Sequence, residues 1–253
     1  RVGLGAVIDL ANPALGSAVG WPLVLYFHHV HDEVRHYTAL SRDAFRRGIE
    51  LVLDTVGPAV EPATVGLGFE PPDRSSVLFT FDDGYRDTVT SAAPILAEYD
   101  VRVLLFCVTD EVDAASGRSP GERAGLAPRQ DYLTWDEVAE LEAAGHVASA
   151  HTRTHPKLPT LDTDRARTEV IGSLERVRQH TGQTPTTFAY PYGLVPEHPV
   201  LPKGVLGFGT VKSAAVPWLA APHRVRRTYL PVDGTDRWQS LATGWRRQWF
   251  GSQ

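Results

Sequence analysis

The sequence predicts an α/β protein in which the strands of a parallel sheet alternate with helices. Short apolar runs bounded by turn residues are followed along the chain by segments of helical periodicity, which is the pattern of βα units. The chain has 253 residues, and an α/β barrel of about 200–250 residues commonly forms one domain. No linker or internal repeat divides the sequence, so we expect a single domain over 1–253 with a motif-bearing core at about 22–230.

Seven strands are predicted, because seven apolar runs are too short for helices and lie between clusters of turn residues. In chain order they are residues 22–27, 77–81, 101–108, 146–150, 186–190, 204–211 and a weaker segment at 225–230.

Helices are predicted at 41–56, 87–99, 134–144, 162–181 and 235–250. The third begins with a capping box formed by Thr134 and Glu137, and Gly145 ends it. The last has an aromatic face that we expect to dock on the barrel wall. That face consists of Trp238, Leu241, Trp245 and Trp249. Residues 109–133 are rich in Gly, Pro and charge, and they are expected to form a long loop over the active site.

Composition excludes several classes of function. The chain has 25 Lys and Arg against 30 Asp and Glu, a net charge of −5, whereas nucleic acids and anionic membranes select basic surfaces. No apolar run reaches the roughly 18 residues of a transmembrane helix, and Asp9 makes the opening stretch a poor signal peptide. The single cysteine, Cys107, excludes an internal disulfide and is expected to be a buried apolar residue. One thiol fits either an exported or a cytoplasmic protein, and the sequence leaves the oligomeric state open.

The polar residues able to do chemistry follow the ends of predicted strands. They are His28, His29, Asp82, Asp83, His151 and Tyr192. In a parallel barrel the carboxyl ends of all strands open onto the face that holds the active site. These side chains, distant in sequence, are therefore expected to converge.

Asp82 and Asp83 are adjacent at a strand end, so their side chains point to opposite sides of the pleat. One can bind a metal ion while the other, redirected by the bend at Gly84, acts as a base. The alternative is an ordinary turn in which both carboxylates accept backbone hydrogen bonds.

His151 and His155 are four residues apart, a spacing that on a helical turn directs two imidazoles toward one cation. Neutral imidazoles suit Zn²⁺ and related metals, and a carboxylate would complete a three-ligand site. Three further histidines, His28, His29 and His31, allow either a metal site or a general acid, and their spacing does not choose between them. The remaining histidines are expected to be structural or exposed: His36, His146, His180, His198 and His223.

Three motifs now resemble those of a known family. The segments TFDDG (80–84), HTRTH (151–155) and FAYPYG (188–193) occur in the order found in polysaccharide deacetylases with a NodB homology domain, carbohydrate esterase family 4. The segments YLTWDEVAELEAAGH and HPKLPTL around the histidine motif are also similar to that family. The resemblance extends over roughly 22–230. It implies a distorted (β/α) barrel with about seven strands.

The resemblance also implies an activity and a set of roles. The family hydrolyses N-acetyl groups, usually on a hexosamine, with one divalent metal ion, for which zinc is expected and cobalt, nickel or iron are alternatives. By position, Asp82 is the implied general base, and Tyr192 matches the residue whose backbone N–H binds the oxyanion. The implied metal ligands are Asp83, His151 and His155.

Two departures from the family pattern stand out. Many members have an Arg that orients the base where this chain has Ala189, and we expect Arg227, rather than Arg224, to replace it. The late Leu-x-His motif that carries the catalytic His is missing. Instead, LYFHHV (25–30) resembles the Leu-x-Tyr-His-x-Val segment of a circularly permuted branch that acts on poly-N-acetylglucosamine. This alignment makes His28 the implied general acid, with His29 as the second choice.

The expected function is metal-dependent removal of N-acetyl groups from an N-acetylhexosamine polysaccharide or small glycoside. A hydrolase of non-sugar or cyclic amides on the same barrel is one alternative. A catalytically silent sugar-binding domain is another, for which only Ala189 speaks. An Fe(II) oxygenase with two histidines and one carboxylate is disfavoured, because its sites usually have a closely spaced H-x-D/E pair on a double-sheet scaffold.

Overall fold

The computed structural model of the protein describes residues 21–211, 213, 216–232 and 235–245. Its central sheet has six parallel strands, and two further short strands pair with each other outside it. The sheet order is β1 (Leu23–Phe27), β4 (Val77–Phe81), β5 (Val103–Cys107), β6 (Val147–Ala150), β7 (Thr187–Ala189) and β8 (Leu206–Phe208); β2 is His29–Val30 and β3 is Ala39–Leu40. The predicted α/β fold with a parallel sheet is confirmed.

The seventh predicted strand, at 225–230, is present only as two isolated bridges. Val225 bridges to Phe208 in β8, and Thr228 bridges to Leu25 in β1. The amide of Tyr26 donates to the Thr228 carbonyl at 2.9 Å. The segment therefore lies between the last and first strands, and the curled sheet meets itself there as in a distorted barrel.

Seven α-helices surround the sheet in the described part of the chain. They are α1 (Arg42–Thr55), α2 (Ala93–Glu98), α3 (Thr109–Ser116), α4 (Pro120–Arg123), α5 (Trp135–Ala143), α6 (Thr163–Thr181) and α7 (Thr235–Gly244). A π-helical turn, Thr88–Ala92, precedes α2. Strands β1, β4 and β5 are buried at every position, as expected for a parallel sheet covered on both faces.

Local capping explains several of these boundaries. Thr134 and Glu137 form the predicted capping box at the start of α5. The side chain of Asp162 accepts the Arg165 amide to begin α6, and Gly182 ends that helix in the left-handed conformation at φ 73°.

The prediction of a long loop at 109–133 is wrong, because the segment contains α3 and α4. Helix α3 begins directly after β5 with Asp110 and Glu111 in its first turn, where carboxylates favour the positive end of the helix dipole. Val112 and Ala115 are on the buried face of this helix. Only the end of the segment approaches the cavity described below, through Arg129.

Helix α7, the last in the described chain, packs next to α1. Trp238 and Trp245 are buried, and the Trp238 ring lies 3.5 Å from a Cβ placed on Gly48 of α1. Trp249 and the rest of the predicted helix beyond 245 lie outside the described residues, as do residues 1–20 with Asp9. No helix within the described ranges is long and apolar enough to cross a membrane.

Candidate active site

The polar residues at the strand ends line one cavity of about 440 Å³. His28 follows β1, Asp82 and Asp83 follow β4, and His151 follows β6, so parallel strand direction brings them to one face. Every residue to which the resemblance assigns a role lines this cavity, whereas Arg227, its alternative Arg224 and the third candidate histidine, His31, do not. Its lining consists of Tyr26, His28, His29, His36, Tyr37, Asp82, Asp83, Tyr85, Arg129, His151, His155, Tyr192, Gly193 and Thr210.

Asp83, His151 and His155 form a compact group. Their ligand atoms all lie within 4.8 Å of one another. Oδ1 of Asp83 is 3.3 Å from Nε2 of His155 and 3.5 Å from Nε2 of His151. Asp83 has φ 70°, and Gly84 follows at φ 80°, so the backbone turns sharply after β4.

The two histidines do not converge through the predicted helical turn. The segment after β6 is an irregular bend in which Thr152 has φ 69° and His155 has φ 60°. The His155 amide donates to Oγ1 of Thr152 at 3.0 Å, which holds the bend. The spacing of four predicted that the two imidazoles approach each other, which they do, but the helical turn that it implied is not present.

The three residues fit a divalent metal ion. Oδ1 of Asp83 is buried and has no hydrogen-bond partner among the described residues, which is costly unless a cation satisfies it. Nδ1 of His151 bonds the Ala189 carbonyl at 2.8 Å, an arrangement that leaves Nε2 free to coordinate. Burial and the neighbouring Asp82 raise the pKa of Asp83 to about 8, and burial lowers the pKa of His151 to about 3. Neutral imidazoles beside a carboxylate suit Zn²⁺ and its first-row relatives.

Asp82 is held by a buried arginine. Nη1 and Nη2 of Arg227 contact Oδ1 and Oδ2 of Asp82 at 2.6 and 2.8 Å, and Nε donates to the Gly209 carbonyl at 2.8 Å. Burial by itself raises the pKa of Asp82, but Arg227 together with His151 and His28 outweighs it and lowers the pKa to about 2. Arg224, the other candidate, is exposed, and the described residues show no contact between it and Asp82.

His28 and His29 have different surroundings. Nε2 of His28 lies 3.9 Å from Oδ2 of Asp83, and its Nδ1 has no hydrogen-bond partner within the described residues. Burial lowers the pKa of His28 to about 4. Nδ1 of His29 bonds Asp87 at 2.7 Å, and its ring stacks on Tyr85 at 3.9 Å between centroids. His28 therefore faces the metal-ligand group, whereas His29 is committed to a buried pair.

Tyr192 lies at the rim of the cavity. Its backbone is left-handed at φ 59°, its side chain is 52% exposed, and its ring centroid is 4.7 Å from that of His155. Gly193 follows at φ 63°, where a Cβ would meet the Thr210 side chain. The turn thus brings the Tyr192 ring next to a residue of the metal-ligand group.

Sequence reasoning missed several residues of the cavity, among them His36, Tyr37, Tyr85 and Arg129. His36 was expected to be structural or merely exposed, but it lines the cavity, 6.0 Å from His28 between ring centroids. Tyr37, Tyr85 and Arg129 were not considered. Tyr85 follows the DDG motif directly, and this position could have identified it. Tyr37 and Arg129 lie in connections whose path only the tertiary structure defines.

The chain is similar in sequence to known polysaccharide deacetylases. A family model described as polysaccharide deacetylase matches residues 69–202, just over half of the chain. The putative polysaccharide deacetylase YxkH of Bacillus subtilis is 28% identical over 122 residues, which are 48% of this chain and 38% of that protein. A poly-beta-1,6-N-acetyl-D-glucosamine N-deacetylase of Escherichia coli is 24% identical over 210 residues, covering 68% of this chain and 31% of that protein. The chain thus spans about a third of the length of these relatives.

Solved structures share the fold. Streptococcus pyogenes deacetylase PplD in complex with acetate is similar with a TM-score of 0.72 and 21% identity, over 87% of this chain and 96% of that one. IcaB from Ammonifex degensii gives a TM-score of 0.70 and 23% identity, over 91% and 98% of the two chains.

Proposed function

Because this chain belongs to the polysaccharide deacetylase family, we propose that it is a metal-dependent N-deacetylase of an N-acetylhexosamine glycan. The products are acetate and a free amine on the sugar. One observation carries the proposal: Asp82, which the buried Arg227 holds from behind, lines the same cavity as the group formed by Asp83, His151 and His155. The resemblance to poly-N-acetylglucosamine deacetylases favours a polymeric substrate.

Asp83, His151 and His155 are the proposed ligands of one divalent ion, zinc or a first-row relative. Such an ion would polarise the acetamide carbonyl and lower the pKa of a water molecule beside it. Ala189 supports the ligand set by accepting from His151 Nδ1, which fixes the tautomer and the ring orientation.

Asp82 is the proposed general base. Its lowered pKa keeps it ionised at neutral pH, and Arg227 holds the carboxylate in one orientation. A carboxylate in this place accepts the proton of the attacking water as the tetrahedral oxyanion forms. We assign stabilisation of that oxyanion in part to the backbone N–H of Tyr192.

His28 is the proposed acid for the departing amine. Its depressed pKa means that the imidazole is neutral before reaction, and the proton that it later delivers is the one that Asp82 has removed from the attacking water. The negative charge of Asp82 favours protonation of His28, whereas Arg227 opposes it. Transfer to the amine nitrogen then allows the C–N bond to break.

The alternatives are less well supported. A silent sugar-binding domain was suggested by Ala189, but Arg227 occupies the position beside Asp82 that such a domain has no need to maintain. An Fe(II) oxygenase is disfavoured by the parallel barrel. A hydrolase of non-sugar amides would use the same groups, and only substrate tests separate it from a glycan deacetylase.

The decisive experiment measures acetate release from N-acetylglucosamine oligomers, simple N-acetylated amino sugars and cyclic amides, with and without a chelator. We expect release from the oligomers that the chelator abolishes and added Zn²⁺ or Co²⁺ restores. Chelator-insensitive release would contradict metal dependence. Turnover of cyclic amides alone would overturn the glycan assignment.

A further inference from the structure

An exposed tyrosine, Tyr37, lies at the rim of the catalytic cavity. It belongs to the turn that precedes β3, and 55% of its side chain is exposed although it lines the cavity. A single exposed aromatic residue on a protein surface needs no explanation. Whether Tyr37 has a role therefore depends on what holds its ring in place and on which residues connect it to the catalytic groups.

Two neighbouring rings hold Tyr37 in place. Tyr229 meets it edge to face with 5.4 Å between centroids, and His36 lies 4.4 Å away. Tyr229 in turn packs on Tyr26, whose ring face lies 5.0 Å from the guanidinium of Arg227. The exposed ring is thus the outermost member of an aromatic wall that continues to the buried arginine. A ring held in this way loses little conformational entropy when a ligand covers it.

Tyr37 and Tyr192 flank the reacting groups from different sides. His36 joins Tyr37 to His28, which approaches Oδ2 of Asp83. Tyr192 packs on His155, which approaches Oδ1 of the same carboxylate. Each tyrosine is thus connected through histidine rings to one oxygen of Asp83, and a glycan whose N-acetyl group reaches Asp83 can cover one of them with its next unit.

The face of a pyranose ring with axial C–H bonds is apolar, and it covers an aromatic ring favourably. We propose that Tyr37 is a stacking platform for the sugar unit adjacent to the one that reacts, so that the site binds an oligosaccharide segment in preference to a single amino sugar. This inference rests on the proposed function and specifies its substrate class.

The test compares mono- and trisaccharides of N-acetylglucosamine with three variants. Binding is measured calorimetrically in chelator, where the substrate stays intact, and kcat and KM are measured with metal present. Tyr37→Ala should weaken trisaccharide binding by about two- to tenfold, the range of one aromatic contact, and monosaccharide binding by less. Tyr37→Phe should keep most of the trisaccharide affinity because the ring remains. Ile171→Ala, at a half-exposed position on α6, serves as the control.

Each other outcome identifies what has failed. If Tyr37→Ala binds the trisaccharide as the unaltered protein does, or loses equal affinity for both sugars, the platform is wrong while acetate release still supports deacetylation. If the unaltered protein neither binds these sugars nor releases acetate from them, the platform and the proposed function are both overturned.

Discussion

Arg227 and Asp82 are 145 positions apart in the sequence and form a buried two-pronged ion pair, with Nη–Oδ distances of 2.6 and 2.8 Å. Arg227 comes from the segment that lies between the last and first strands, and Asp82 from the end of β4. Nη1 of Arg227 also donates to Oγ1 of Thr80 at 3.1 Å. The pair therefore couples the closure of the barrel to the orientation of the proposed base.

Replacing Arg227 with Gln should lower the free energy of unfolding by about 3–5 kcal/mol, because Asp82 would remain buried without its counter-charge. Arg224→Gln, at an exposed position, should change it by less than about 0.5 kcal/mol. Urea unfolding measures both. The native pKa of Asp82, about 2, lies below the ordinary value of 3.8, so its contribution is present above about pH 4 and disappears toward pH 2. If the difference in the free energy of unfolding between the unaltered protein and Arg227→Gln stays constant from about pH 4 to pH 2, this account is contradicted.

Asp82→Asn should reduce kcat by about 10²–10⁴-fold, because an amide cannot accept the proton of the attacking water. The metal content should stay near that of the unaltered protein, since Asp82 is outside the proposed ligand group. Acetate release and elemental analysis measure the two effects separately. Full activity in this variant would show that another group is the base.

His28→Gln and His29→Gln should separate catalysis from stability. The first should lower kcat by about 10²–10⁴-fold if His28 is the acid. The second should mainly lower the free energy of unfolding, because Asp87 loses the partner that it holds at 2.7 Å in a buried site. If His29→Gln instead abolishes turnover in a stably folded protein, the two assignments must be exchanged.

His151→Ala should eliminate stoichiometric metal binding and, with it, chelator-sensitive turnover. Loss of one ligand from a three-residue site leaves too few donors for a stable complex. His198→Ala, which changes an exposed histidine, is the matched control. The readout is the metal bound per chain after dialysis, and an equal loss in both variants would argue against the site.

Asp83 should make the metal-free protein less stable as the pH rises. Its native pKa of about 8 is above the ordinary value of 3.8, so its stabilising contribution is complete below about pH 4 and is lost by about pH 8. His28 and His151 titrate with the opposite sign, so the informative quantity is the difference from Asp83→Asn. In chelator, the stability of Asp83→Asn relative to the unaltered protein should increase from pH 4 to 8. If this difference in stability does not change between pH 4 and 8, burial does not raise the pKa of Asp83.

Much of the fold was predictable because it depends on local patterns. The capping box at Thr134 and the apolar runs of β1, β4 and β5 act within a few residues, and each defined its element. The segment 109–133 was misjudged because the Gly and Pro residues that follow Ser116 indicate a loop. Helix α3, which precedes them, has only eight residues, too few to show a clear helical periodicity. The segment 225–228, which lies between the last and first strands, gives only a weak strand pattern in the sequence. In the structure it pairs with its neighbours at isolated positions.

The sequence by itself determined which residues can do the chemistry and that parallel strand ends bring them to one face. It also identified the motifs of the family and restricted the replacement for the missing arginine to Arg224 or Arg227. The tertiary structure decided that Arg227 contacts Asp82, that His28 faces Asp83 while His29 pairs with Asp87, and that Tyr37 reaches the rim of the cavity. These relationships depend on how distant segments pack and on left-handed backbone turns at Asp83 and His155. No local pattern encodes such distances, because they are set by the closure of the whole barrel.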